Sequence, residues 1–218
     1  MDQVARRFEE VIFRAPGEGE LRSWRNSLPA LASLLSAGLG GVEILIEYRL
    51  PLSSKRVDAL LVGTDGRDSI SVLVCELKQW SSAEIESADG RVVSVAGRLL
   101  SHPQQQVVGY VKYLADFIPL FESEEARISG FVFMHNADSD LVERLRVPAL
   151  ADLQRYPMFG ADQMGELRKL LAERLHADGS YPSATDSQKR FTKLVQSKDF
   201  LATRPIPTER GGCTWPTS

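Results

Sequence analysis

The sequence predicts an α/β domain, and three observations carry that reading. Apolar residues recur at helical spacing in Glu20–Ala37 and again in Gln104–Phe117. Between those segments lie three runs rich in Val, Ile and Leu, bounded by turn residues, which read as buried strands. A further short apolar run, Gly130–Met134, follows the second helical segment. Helix, three strands, helix, strand is an order that packs helices against a central sheet.

Taken in order, residues 1–19 are charged and read as a short helix broken at Pro16-Gly17. In Glu20–Ala37 the apolar stripe is Leu21, Trp24, Leu28, Leu31, Leu34 and Leu35. Pro29 inside it implies a kink or a late start, and Gly38-Leu39-Gly40-Gly41 ends it. Val42–Leu50 reads as the first strand, with Glu47 near its end, and Pro51-Leu52-Ser53-Ser54 turns the chain into Arg56–Trp80. Arg91–Val95 and Arg98–Leu100 around Ala96-Gly97 read as a small hairpin. Ser101-His102-Pro103 opens the second helix, with its Pro at an early position. The stripe of that helix is Val107, Val108, Val111, Leu114 and Phe117. Ala161–His176 and Ser187–Phe200 read as further helices, and the Pro-, Gly- and Thr-rich end, Ala202–Ser218, reads as disordered.

The 218 residues, 43% hydrophobic and 25% charged, suffice for one sizeable domain. A net charge of −3 excludes a global basic field for nucleic acid, so any such ligand would be held locally or with a partner's help. The two cysteines, Cys75 and Cys213, lie far apart and form no CxxC, which argues against a zinc site or a disulfide framework. No apolar run approaches a membrane span, and the N-terminus lacks a signal-peptide apolar region. The expectation is a reduced cytoplasmic protein with no membrane association. GxxxxGK[ST], GxSxG, HExxH and GxGxxG are all absent, so the chain has no P-loop motor.

The chemistry concentrates in Arg56–Trp80. Two apolar runs flank Thr64-Asp65-Gly66-Arg67-Asp68, which reads as a β-hairpin turn with Gly66 free to take φ > 0. Folding about Gly66-Arg67 sets Asp58 opposite Cys75 or Glu76, and strand alternation puts Glu76 and Lys78 on one face. Two carboxylates so close raise each other's pKa. A divalent cation such as Mg²⁺ removes the conflict, and a neighbouring lysine can orient or deprotonate an attacking water. The plain alternative is a salt-bridged strand end.

Asp58 with Glu76-Leu77-Lys78 resembles the signature of the PD-(D/E)xK, or restriction-endonuclease-like, nuclease superfamily. Arg56-Val57-Asp58 and Glu76-Leu77-Lys78-Gln79-Trp80 are similar, more specifically, to the nuclease domain at the N-terminus of bacterial proteins that also carry a schlafen-like or superfamily-1 helicase. The likeness covers Glu20–His135, and Val57 stands where the superfamily usually has Pro. The resemblance implies an αβββαβ core with a mixed central sheet flanked by helices. It implies a Mg²⁺ or Mn²⁺ ion held by Asp58, Glu76 and the Leu77 carbonyl, with Lys78 acting on the attacking water. It implies DNA as substrate, phage defence or DNA processing as setting, and a helicase or ATPase as partner or fused domain. Residues 1–180 would form the nuclease-like domain and 181–218 a C-terminal helix and tail. Oligomeric state is not legible, with a dimer among the options.

Gln106 and Tyr110, four apart on the second helix, are similar to the QxxxY of RecB-like nucleases, where the pair faces the active centre. Otherwise they are a polar pair on a solvated face. Nucleases of this superfamily often add a Glu from the first helix; Glu20 fits that role and Glu47 has a rival claim, against the alternative of solvated carboxylates. His102 reads as a surface or capping group, with a phosphate contact at the helix N-terminus as the functional option. Trp24 and Trp80 read as core and rim packing, and His135 as structural. The rival to a nuclease is a module of the same fold that binds DNA or a helicase partner without catalysis. A third reading is an unrelated α/β domain whose hairpin ends in a salt bridge.

Overall fold

Residues 17–35, 42–65, 69–122, 126–147 and 151–175 are described by the computed structural model, with 206–207 and 213–214 besides. The β2–β3 hairpin organises them. Strand β1 spans Glu43–Arg49, β2 Arg56–Thr64 and β3 Ile70–Lys78. Both junctions are antiparallel, and β2 meets β3 in a register running from Thr64↔Ile70 to Ala59↔Cys75. One step further sets Asp58 opposite Glu76 rather than Cys75. At the turn, Asp65 accepts the Ser69 N–H on its side chain at 3.1 Å and donates its own N–H to the Ser69 carbonyl at 2.8 Å.

Helix α1, Glu18–Leu35, precedes the hairpin. Gly17 accepts its first backbone bond from Leu21, and Glu20 reaches back to the Gly17 N–H at 2.8 Å, which is half of a capping box. The late start expected from Pro29 does not occur: α1 runs through the proline, which only deletes the N–H that would bond to Arg25. After β3 a second, three-stranded sheet forms from β4 (Glu84–Ile85), β5 (Val92–Val95) and β6 (Arg98–Ser101). Ala96 at φ 50° and Gly97 at φ 75° make the two-residue turn between β5 and β6, the conformation a tight hairpin needs at both positions. The sequence missed β4, which is too short to carry a pattern.

Helix α2, Pro103–Phe117, then crosses the sheet and returns the chain to β7, Ala126–Met134, which runs parallel to β3. A Cβ on Gly130 would stand 2.5 Å from a Val107 methyl and 2.8 Å from the Val74 carbonyl, so glycine there lets α2 lie close on the sheet. Beyond β7 come two short helices, α3 (Ser139–Arg144) and α4 (Ala151–Gln154). Strand β8, Met158–Gly160, then pairs parallel to β7, and α5, Met164–Leu175, follows. The result is a mixed five-stranded sheet in the order β1-β2-β3-β7-β8, flanked by helices on both faces.

Two apolar cores hold the layers. Val62, Val74, Val132 and Met134 pack against Val107, Val111 and Leu114 of α2. On the other face, Leu61, Leu73, Cys75 and Phe131 pack against Leu31 and Leu34 of α1 and Leu167, Leu171 and Leu175 of α5. Cys75 is a buried small apolar group, as its strand position suggests. Among the described residues no helix is long and apolar enough to cross a membrane. In the segment read as disordered, β9 (Ile206–Pro207) and β10 (Cys213–Thr214) pair antiparallel. The expected helices in 1–16 and Ser187–Phe200 lie outside the described residues.

Candidate active site

The parallel strands β3 and β7 end at Lys78 and Met134, beside the start of β2 and the end of β1. Carboxyl ends of strands are where open α/β sheets usually place ligands. A cleft of about 190 Å³ lies there, lined by Ser23, Trp24, Ser27 and Leu28 of α1, Glu47 of β1, Asp58 of β2 and Glu76, Leu77 and Lys78 of β3.

The regular ladder stops just short of the acids. Asp58 accepts the Leu77 N–H on Oδ2 at 2.7 Å, so a side-chain oxygen takes a strand donor at the point where β2 and β3 cease to pair. Across the β1–β2 register Glu47 stands opposite Asp58, but its φ of 53° is left-handed and the pair drops out of the ladder. The alternation of β1 shifts at that residue, because Leu45 and Tyr48 share a core although three apart. A non-glycine residue held left-handed is strained, and such strain persists where the surroundings enforce it. Here the Trp24 indole N–H donates to Glu47 Oε1 at 2.6 Å and Arg56 lies 3.4 Å from Oε2.

Glu76 is 4% exposed, and its Oε1 accepts from Lys78 Nζ at 2.6 Å. Burial, then the charge of Asp58, pushes its carboxyl from 4.5 up to about 7 against the pull of Lys78. Asp58 is raised by burial, opposed by the Leu77 N–H and by Lys78 and Arg56. Glu47 is raised by burial as well, against the Trp24 bond and Arg56. Lys78 Nζ also stands 5.3 Å from the centre of the Trp80 ring, a cation–π contact that gives Trp80 a place beside the lysine.

Comparison of the chain with protein-family models, with curated proteins and with solved structures returned no match. Asp58, Glu76, Leu77, Lys78 and Glu47 are brought together in one cleft, and Glu20 is not. Glu20 sends one oxygen to Gly17 and the other to Arg56 at 2.6 Å, so it caps a helix and neutralises an arginine. Gln106 and Tyr110 do not line the cleft, but Tyr110 is within electrostatic reach. Burial, and after it the charges of Glu76 and Asp58, hold its hydroxyl above the ordinary tyrosine range, while its bond with Gln106 opposes them. His102, read as a surface or capping group, is a fully buried cap. Its Nδ1 accepts from Gln104 N at 3.3 Å and its Nε2 meets the Leu145 carbonyl at 2.9 Å, leaving no nitrogen for a phosphate.

Sequence reasoning passed over the polar network beside the cleft. Gln79 Nε2 donates to the Ser23 carbonyl at 3.1 Å and to Ser27 Oγ at 3.1 Å, and Asn26 Nδ2 donates to Gln79 Oε1 at 3.0 Å. Ser27 Oγ lies 3.2 Å from His135 Nε2, and His135 Nδ1 lies 3.2 Å from Asn136 Oδ1. Asn136 Nδ2 returns to the Gln79 carbonyl at 3.1 Å, and the His135 N–H bonds the Lys78 carbonyl at 3.0 Å. The one available signal was position: Gln79 directly follows Lys78.

As a metal centre the site is sparse. Among the described residues, no three His, Cys, Asp or Glu side chains gather as a metal-holding cluster. Glu76 Oε2, however, is buried with no hydrogen-bond partner, a state that costs free energy unless something answers it. Two carboxylates and a backbone carbonyl suit Mg²⁺, which takes few protein oxygens and keeps waters.

Proposed function

We propose that this chain is a metal-dependent nuclease of the PD-(D/E)xK kind, with a restriction-endonuclease-like core, that hydrolyses DNA phosphodiesters. The observation that supports the reading most is the Asp58–Glu76–Lys78 group at the strand ends, with Glu76 buried and its Oε2 unanswered. With the separate β4–β6 sheet inserted between β3 and α2, the element order around it, α1-β1-β2-β3-(β4-β5-β6)-α2-β7, is compatible with the αβββαβ arrangement that the motif implies.

Asp58, Glu76 and the Leu77 carbonyl would hold Mg²⁺ or Mn²⁺. When bound, the ion supplies charge neutralisation at the phosphate and a lowered pKa for a water. The Leu77 N–H fixes the Asp58 carboxylate so that it needs no reorganisation. Lys78 Nζ, held between Glu76 and the Trp80 ring, would orient the attacking water and take the proton that it loses as its oxygen bonds phosphorus, while the P–O bond to the leaving oxygen breaks and that oxygen gains a proton from solvent. Tyr110, within electrostatic reach of Glu76 and Asp58, and Gln106, bonded to it, would steady the phosphate from α2. Phage defence or DNA processing, and a helicase or ATPase partner, belong to the same reading.

The test is incubation with linear, nicked and circular DNA in Mg²⁺, Mn²⁺ or EDTA. Cleavage that needs the divalent ion and disappears in Glu76→Gln is the expected result. DNA binding without cleavage under any of these conditions would move the reading to a non-catalytic module, and cleavage that persists in EDTA would refute the metal.

A further inference from the structure

Every α1 residue that lines the cleft, Ser23, Trp24, Ser27 and Leu28, lies before Pro29, and the α1 residues in the apolar core, Leu31 and Leu34, lie after it. The two halves are held differently. The first half is tied to the sheet by polar contacts: Gln79 to Ser23, Ser27 and Asn26, Trp24 to Glu47, and Glu20 to Arg56. Trp24 is its one large buried side chain, and that ring belongs to neither core. Between the halves, Pro29 removes the backbone bond that would join them across a turn. Glu76, the acid at the bottom of the cleft, is only 4% exposed, and this half of the helix lines the cleft beside it. A group larger than an ion needs a lining segment to move before it touches Glu76.

We propose that residues 18–28 of α1 form a lid over the site, hinged at Pro29 and latched by Gln79. The lid opens to admit a nucleic-acid strand, and this substrate part rests on the nuclease reading above. The polar contacts suit a latch because water can replace each of them on opening; exposing Trp24 is the main cost, against two large buried apolar side chains, Leu31 and Leu34, beyond Pro29. Gln79 sits between two tasks. Its side chain holds the lid, and its carbonyl, with that of Lys78, is tied to the end of β7 through Asn136 and the His135 N–H. It is thus a positioning residue that couples the lid to the lysine next to it.

Amide hydrogen exchange on the full chain tests the lid without any appeal to activity. Amides of Arg22–Leu28 should exchange about tenfold or more faster than those of Leu31–Leu35, as expected of a segment that opens on its own. Gln79→Leu should widen that ratio. Pro29→Ala, which restores the missing bond, should narrow it and slow the binding of a short single-stranded oligodeoxynucleotide in Mg²⁺. Equal protection on the two sides of Pro29, or a ratio that neither substitution moves, overturns the proposal. A moving ratio with no response to the oligonucleotide supports the lid and removes the nucleic-acid reading instead.

Discussion

At its turn end the β2–β3 hairpin is a regular ladder of buried Leu, Val and Ile; at its other end the same strands carry Asp58, Glu76 and Lys78 and stop pairing. The turn end is held by apolar burial on both faces, with Leu61 and Leu73 in one core and Val62 and Val74 in the other. The far end is held by charge and single hydrogen bonds, and its buried carboxylates are raised in pKa. The difference teaches that stability and proposed activity are kept apart along one element, so substitutions should separate them.

The largest effect is expected at Glu76. Glu76→Gln should abolish cleavage. The folded chain takes up a proton at Glu76 more readily than the unfolded one, so it binds more protons between pH 4.5 and about 7. Stability attributable to this group is therefore complete below that window and is lost as pH rises through it. Glu76→Gln should flatten that loss, and at pH 8 it should be as stable as the parent or more so, by up to roughly 3 kcal/mol. Denaturant unfolding across the pH range checks this. Wild-type cleavage in the variant would sink the site, and a clear loss of stability at pH 8 would sink the account of its burial.

Lys78→Met comes next, with a rate loss on the order of 10²–10⁴ in single-turnover cleavage at saturating Mg²⁺. Lys78→Arg should rescue little, because arginine does not shed its proton near neutral pH. Full activity in the arginine variant would show that this position supplies charge alone. At the turn end, Leu61→Ala should cost about 2–5 kcal/mol in denaturant unfolding while leaving cleavage per folded molecule unchanged. If it instead lowered that rate, the two ends would not be independent.

The smallest effects belong to the supporting helix. Gln106→Ala should lower kcat and Tyr110→Phe should act on substrate binding, each by roughly 1–2 kcal/mol, the scale of one hydrogen bond to a charged group. Polar substitutions of the buried Val107 or Val111 should cost stability instead. Paired melting and rate measurements decide. Gln106 and Tyr110 variants that melted early at full specific activity would make the pair structural.

Much of this was legible in the sequence because the contacts involved are local or patterned. The turn residues in the Thr64–Asp68 sequence mark the middle of the hairpin and so its register, and the stripe of α2 announces Val107 and Val111 as core. The rest depends on distant partners. Nothing local marks Glu47 as left-handed; that conformation is enforced by Trp24 and Arg56 from two other elements. The Glu20 carboxylate reads as available until Arg56 is placed beside it. The three residues of β8 become a strand only because β7 offers an edge.

The parallel seam between β3 and β7 has a consequence for how the molecule comes into being. The hairpin pairs residues close in sequence, so it can form early, whereas Lys78 meets Met134 and His135 only after a long loop has closed. Such distant pairings carry the larger entropic barrier and are the slow part of a folding reaction. A chain emerging in order would thus hold its two acids together well before the backbone of Lys78 is anchored, and the site would be among the last features to mature.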